Sequence, residues 1–232
     1  MKLSIFGKEK EYMSYSAMHL WQTSRVGYRK RYYEQEKPFE TVETRFGKLL
    51  ADKLERGDED VRHIPNYATR ELNIEVMIDG NLIKGRIDGF DETRIRFLDH
   101  KSAHASKDGK SPWNKLKVRK LDQLPFYSMM LKEKYGKVDS ACHLIWIETV
   151  FKNIFIEFEG HKLDSQTREL QLTGKVKKFR RLISKGERKR IKEELLKVCA
   201  EIKQDYKEYE KISNQQLHVE DSKGQSQEEP AA

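Results

Sequence analysis

The sequence predicts an α/β fold: a core of strands with a helical rim, and a basic helical extension towards the C-terminus. Three observations carry this. Residues before 57 show apolar positions at helical spacing. Residues 71–101 show strand-like alternation folded back at Asp79-Gly80-Asn81. Helical spacing then resumes near Asp122 before two more strand-like stretches.

The elements follow in order. Ser14 to Tyr33 reads as a pair of short helices, with Ser14 or Ser16 as cap and Ala17, Leu20 and Trp21 at helical spacing. Tyr28, Tyr32 and Tyr33 are interleaved with Arg25, Arg29, Lys30 and Arg31. Such a mixture can stack on bases and hold phosphates, or can simply put rings inward and cations outward. Thr44 to Arg56 predicts a helix with Phe46, Leu49, Leu50 and Leu54 on one face, ended by Gly57. Glu71–Ile78 and Leu82–Phe90 form a hairpin, and Arg94–Lys101 a third strand. Ser102–Lys117 reads as a polar loop. Asp122–Tyr135 reads as a helix whose first turn tolerates Pro125 and which Gly136 stops. Val138–Val150 and Phe151–Glu159 read as two tightly joined strands. Beyond Gly160 the chain reads as helical and basic, ending in a stripe of Ile191, Leu195, Val198, Ile202, Tyr206 and Tyr209. The expected organisation is a core over 1–160, a basic helical extension over 161–212 packing on it, and a disordered polar tail over 213–232.

Composition narrows the functional classes. The 232 residues are 37% hydrophobic and 36% charged, with a mean hydropathy of −0.86, as expected of a charged, water-facing protein. No apolar run approaches the ~18–20 residues that cross a bilayer, and the N-terminus carries no secretion signal. The expectation is a cytoplasmic protein that does not engage a membrane. Lys and Arg total 46 against 38 Asp and Glu, a formal charge of +8, which favours a polyanionic partner. Cys142 and Cys199 stand far apart in apolar surroundings and read as buried core residues. Two thiolates exclude a four-cysteine iron–sulfur cluster within the chain.

The stretches that can carry chemistry are Gly85-Arg86-Ile87-Asp88 and Asp99-His100-Lys101. Side chains two apart on a strand share a face, so Asp99 and Lys101 project together while His100 turns away and offers its backbone carbonyl. If the hairpin brings Asp88 beside Asp99, two carboxylates and a carbonyl make an oxygen-rich site suited to Mg²⁺ or Mn²⁺. Such an ion polarises a phosphate and acidifies water, and Lys101 would orient that water or steady the charge of attack. Taken alone, an Asp-x-Lys triplet is more often a surface ion pair.

These motifs, with Gln123-Leu124-Pro125-Phe126-Tyr127, resemble the RecB-like exonuclease branch of the PD-(D/E)XK nuclease superfamily. That branch has Gly-x-x-Asp, Asp-x-Lys and Gln-x-x-x-Tyr in this order; the opening Ser14-to-Glu34 helices are also similar, so the resemblance spans about Ser14 to Glu159. It implies a restriction-endonuclease-like core, a central mixed sheet flanked by helices, and metal-dependent DNA hydrolysis with one or two divalent ions, in recombination, repair or phage DNA processing. Asp88 and Asp99 would be metal ligands, joined by the His100 carbonyl. Lys101 would be the catalytic lysine, and Gln123 and Tyr127 would face the site from one side of a helix.

The pattern departs at Gly47, where the family's Gly-x-x-x-His would place a histidine at position 51; here Ala51 cannot coordinate. Glu55, one turn further on, is a substitute candidate, with Asp52 less well aligned. Lys107, Lys110 and Lys115, with Lys177, Lys178, Arg180 and Arg181, would then hold the DNA backbone. No GxxxxGK[ST] motif occurs, so a helicase or recombination protein would have to be a separate partner. Two other readings compete. One is a non-catalytic nucleic-acid-binding module that retains the nuclease fold; the other is an interaction subunit that docks through its last helix.

Overall fold

The computed structural model describes residues 5–105, 109–158 and 161–224, with side chains of 153–168 and 216–224 left aside. The element order is α1 (Tyr15–Thr23), α2 (Arg25–Tyr32), α3 (Val42–Arg56), β1 (Thr69–Ile78), β2 (Asn81–Asp91), β3 (Arg96–His104), α4 (Lys115–Lys120), α5 (Gln123–Tyr135), β4 (Ala141–Phe158), β5 (His161–Leu182) and α6 (Lys185–Gly224). The chain divides into two compact units. The first comprises Met1–Lys37, Met77–Ile83 and Glu193–Ala232, and the second Pro38–Val76 and Lys84–Lys192.

The second unit carries the sheet, ordered β1-β2-β3-β4-β5. It is mixed, as the family resemblance implies: β2–β3 and β4–β5 pair antiparallel, β3–β4 parallel. Local chemistry sets the frame. Thr41 caps α3 by accepting from the Thr44 N–H, and Gly57 ends it in the left-handed conformation at φ +75°. The β1–β2 hairpin turns at Asp79 and Gly80, both at positive φ, as a two-residue turn requires. Gly136, at φ +69°, stops α5, and Pro125 sits in that helix's first turn.

Each face of the sheet has its own cover. Leu98, Ile145 and Ile147 pack with Leu50 and Leu54 of α3 and with Val61 and Ile64. The alternate residue Phe97 meets Tyr127 of α5 edge-on, with ring centroids 6.1 Å apart. Leu49, expected on the apolar face of α3, is 57% exposed, because the cluster takes only the narrower stripe through Leu50 and Leu54.

The strands after α5 depart from the sequence reading. β4 is one strand rather than two, since residues 141–158 contain no Gly or Pro to break it and pair with β5 along their length. Residues 161–182, expected to be helical, form β5. At the end of β5 burial alternates with a period of two (Phe179 and Arg181 buried; Arg180 and Leu182 exposed), which the density of lysine and arginine obscures. The basic helical extension is therefore only α6. Its backbone is helical to Gly224, past Ser213, where the sequence led to a disordered tail.

In the first unit, Tyr28 and Tyr33 are buried, and the Tyr28 hydroxyl donates to the Phe6 carbonyl at 3.0 Å. The aromatic–cationic helix thus turns these two rings inward rather than offering them to bases. Leu195, Val198, Cys199, Ile202 and Tyr206 are buried as well, and the Tyr33 and Tyr206 rings lie 4.7 Å apart. The stripe of the last helix is occupied by this chain's own residues, which counts against the docking-subunit reading. Cys142 and Cys199 are both free and buried.

Candidate active site

Antiparallel pairing of β2 with β3 sets Gly89 opposite Leu98 and Phe90 opposite Phe97. Immediately beyond stand Asp88 and Asp99. There the Asp88 side chain accepts the His100 N–H, at 2.6 Å from Oδ2. Asp99 is 2% exposed, and its Oδ2 lies 3.0 Å from Lys101 Nζ. That contact pairs opposite charges without hydrogen-bond alignment: among the described residues, this buried oxygen has no aligned donor. His100 directs its ring off the Asp99 face, as the strand period requires, with Nε2 2.9 Å from the Pro65 carbonyl oxygen and Nδ1 3.9 Å from Asp88 Oδ2. Burial holds that imidazole below its usual range.

The acid pair is electrostatically unsatisfied. Burial first, and then the neighbouring Asp99, push the Asp88 carboxyl up to about 7; the His100 N–H and Lys101 only partly oppose this. A buried Asp99 and a half-buried Asp88 answered by one lysine leave room for a cation.

α5 supplies the other wall. Gln123 Nε2 donates to the Tyr127 hydroxyl at 3.1 Å, the i,i+4 partnership expected from the spacing. Burial, then the charge of Asp99, raises the Tyr127 phenol's pKa and keeps it protonated. Gly85 explains how close α5 comes. A β-carbon there would lie 3.1 Å from both Tyr127 Cε1 and Met130 Sδ, so glycine lets the helix settle on β2.

These groups line one cleft of about 370 Å³. Asp88, Asp99, His100, Lys101, Gln123 and Tyr127 all border it. So do Gly47, Ala51 and Glu55 of α3, whereas Asp52 does not. Two residues that the sequence reading passed over are also there: Glu71 and Arg86, with Arg86 Nη1 3.1 Å from Glu71 Oε2. Arg86 was visible inside the Gly-x-x-Asp motif. Glu71 had no signal, because it enters through a left-handed backbone kink at φ +52° within β1.

The cations expected to hold DNA do not form one surface. Lys101, Trp146 and Lys177 stand side by side across β3, β4 and β5, so exposed Lys177 shares the face of Lys101. Lys178 and Arg180 are exposed but lie in rows with Ile145 and His143, on the opposite face. Arg181 is buried: its guanidinium donates to the carbonyls of Val118 and Leu121 and to Glu187, so it fastens α4 and α6 to the sheet instead of meeting a phosphate. Lys115 opens α4 and is exposed; Lys110 lies in the preceding segment, and Lys107 falls outside the described residues.

The match to a family model fixes the assignment: residues 7–217 fit that of the PD-(D/E)XK nuclease superfamily. The chain belongs to this superfamily. Members of the PD-(D/E)XK superfamily generally use divalent metal ions. Among solved structures, a candidate exonuclease from Eubacterium rectale is similar at 10% identity and a TM-score of 0.51, covering 84% of this chain and 82% of that one. A phage-related exonuclease from Haemophilus somnus gives 13% identity and a TM-score of 0.48, with the same coverages. At 10% identity the likeness to the first of these concerns the fold alone. No curated protein matches this chain.

The donor set fits a hydrated divalent cation. Among the described residues no three His, Cys, Asp or Glu side chains are already gathered tightly enough to enclose an ion. Mg²⁺, however, is usually held by only one or two carboxylates and keeps several waters, which Asp88, Asp99 and the His100 carbonyl can match. Among the described residues no helix is long and apolar enough to cross a membrane.

Proposed function

We propose that this PD-(D/E)XK protein is a metal-dependent deoxyribonuclease that hydrolyses DNA phosphodiester bonds as an exonuclease. The observation that carries the reading is buried Asp99, paired with Lys101 at 3.0 Å next to an Asp88 raised by burial and by that same neighbour. Carboxylates alone would repel a phosphodiester, so the pair makes chemical sense only with a cation between them and the substrate.

In this reading Asp88, Asp99 and the His100 carbonyl hold Mg²⁺ or Mn²⁺, with Glu55 as a further candidate ligand from α3. The ion supplies Lewis acidity towards the scissile phosphate. Lys101 donates to the attacking water or to the phosphoryl oxygens as charge builds, and Asp99 keeps that ammonium in place. Gln123 and Tyr127 present donors along α5 to fix the substrate backbone. Lys177 and Lys115 steer DNA by charge, without reading its sequence. The setting is a cytoplasmic one, in recombination, repair or phage DNA processing, with unwinding left to a separate helicase partner.

The test is degradation of end-labelled linear DNA and of closed circular DNA, with Mg²⁺, Mn²⁺ or EDTA, beside Lys101→Ala. Metal-dependent loss of linear DNA only, abolished in the variant, is the expected result. Ala51, which offers no ligand where relatives place a histidine, favours a second reading as a non-catalytic DNA-binding module. That reading wins if the wild type binds DNA but cleaves neither substrate with either ion.

A further inference from the structure

Glu71 is poorly explained as an ordinary strand residue. It lies within β1 but holds a left-handed backbone, φ +52°, a conformation that non-glycine residues rarely adopt and that redirects a side chain out of the regular pleat. Strain of this kind concentrates where a side chain has a task. Here it delivers a carboxylate into the cleft of Asp88 and Asp99, with only 10% of its side chain exposed.

The surroundings of that carboxylate are those of an acid awaiting a cation. It is ion-paired with Arg86, whose side chain is 56% exposed and attached to a flexible stem. Burial raises its affinity for a proton, Arg86 opposes this, and Glu55 and Asp52 add to the rise. Asp88 in turn senses the charge of Glu71. On α3, where relatives place a histidine, Ala51 contributes only a methyl group to the same cleft.

We infer that Glu71 is a further ligand of the divalent-cation site, taking the part that Ala51 cannot, with Arg86 as the counter-ion that holds its carboxylate until the cation displaces it. The inference rests on the nuclease reading of the cleft. It assigns Arg86 a second state, released from Glu71 and facing the polyanionic substrate.

The test is DNA-free Mn²⁺ titration, followed by calorimetry and by water-proton relaxation, which reports the number of waters on the bound ion. Glu71→Gln should weaken Mn²⁺ by at least about tenfold, the scale seen even for outer partners of metal ligands, and should add one water to the ion. Glu71→Asp keeps the charge but shortens the reach, so it should weaken binding too. Arg86→Met removes the competing cation and should tighten Mn²⁺ about threefold. Asp99→Asn should lose binding altogether, which separates the two levels of the claim. Wild-type affinity and hydration in Glu71→Gln, with Asp99→Asn inactive in binding, would overturn the role of Glu71 and leave the site standing. Normal binding by Glu71→Asp would overturn that role too, since the effect would then be charge at a distance, as would an ion weakened by Glu55→Gln rather than by Glu71→Gln. Normal Mn²⁺ binding by Asp99→Asn would overturn the site itself.

Discussion

On the strand face that also carries Phe97, Asp99 and Lys101 stand in a cleft lined by both α3 and α5, where burial and like charge leave a carboxylate demanding a cation. On the α3 face, one residue away along the same strands, Leu98 and Ile145 join an apolar cluster, and His143 hydrogen-bonds the Tyr67 hydroxyl through Nδ1 at 3.0 Å. Both faces bury ionisable groups. The first keeps its charges close together and incompletely balanced, while the second holds its histidines neutral: burial depresses both His100 and His143. The difference locates chemistry better than net charge does. Stability is served by uncharged or fully paired buried groups, so a buried acid pair with one lysine is a cost that the fold carries for a function.

The largest effect should come from breaking the unbalanced face. Lys101→Ala or Asp99→Ala should lower the rate of metal-dependent DNA cleavage by about a thousandfold or more, the scale of losing a group that stabilises developing charge. Single-turnover assays on end-labelled DNA read this directly. Retention of more than a tenth of the wild-type rate in both variants would mean that the two faces do not differ in function.

The neutral face makes a prediction in pH. His143 is 7% exposed, and burial first, then Lys178, Arg96 and Arg180, lower its pKa from an ordinary 6.5 to about 4. A depressed folded-state pKa means that the unfolded chain takes up the proton first. The contribution is therefore fully present above about 6.5 and is lost as pH falls through about 4. At ~1.4 kcal/mol per unit, discounted for partial screening, the loss is about 2 kcal/mol. Urea unfolding of wild type and His143→Gln in EDTA between pH 7.5 and 4 isolates it, because other titrating groups cancel in the difference. Parallel curves for the two proteins would show that His143 is not held neutral.

Gly85 tests how tightly the catalytic face is built. An added β-carbon 3.1 Å from Tyr127 Cε1 and Met130 Sδ must make those side chains give by a few tenths of an ångström. Small displacements of positioning groups are expensive in rate, so Gly85→Ala should cut kcat about tenfold while leaving Mn²⁺ affinity near normal. An equal loss of metal binding would place Gly85 in support of the acids rather than of the helix.

How much of this was legible in the sequence depends on the range of the interactions. Asp99 with Lys101, Gln123 with Tyr127, and the turn at Asp79-Gly80 depend on neighbours two to four residues apart, where the strand and helix periods apply, and the structure brings each set together. β5 was misread because pairing with β4 is a long-range decision: residues 161–182 carry charge enough to look like a solvated helix until a partner strand claims them. Arg181 was misassigned for the same reason, since only the fold shows its guanidinium capping the carbonyls of α4. Glu71 was invisible because its position depends on a backbone irregularity that no periodic pattern encodes.

The smallest predicted effect sharpens the comparison across the sheet. The register Lys101–Trp146–Lys177 places the Lys177 backbone two strands, about 10 Å, from that of Lys101 on the same face. Arg180, three residues on, pairs with His143 and belongs to the other face. Both are exposed, so charge alone treats them alike. If DNA runs along the catalytic face, Lys177→Glu should weaken DNA binding about threefold and reduce the salt dependence, whereas Arg180→Glu should leave both nearly unchanged. Fluorescence anisotropy with a short labelled duplex at several salt concentrations, in Ca²⁺ or EDTA to prevent cleavage, distinguishes them. Equal losses would mean that the DNA path wraps the edge of β5, and the two faces would then share the task of holding substrate even though only one holds the acids.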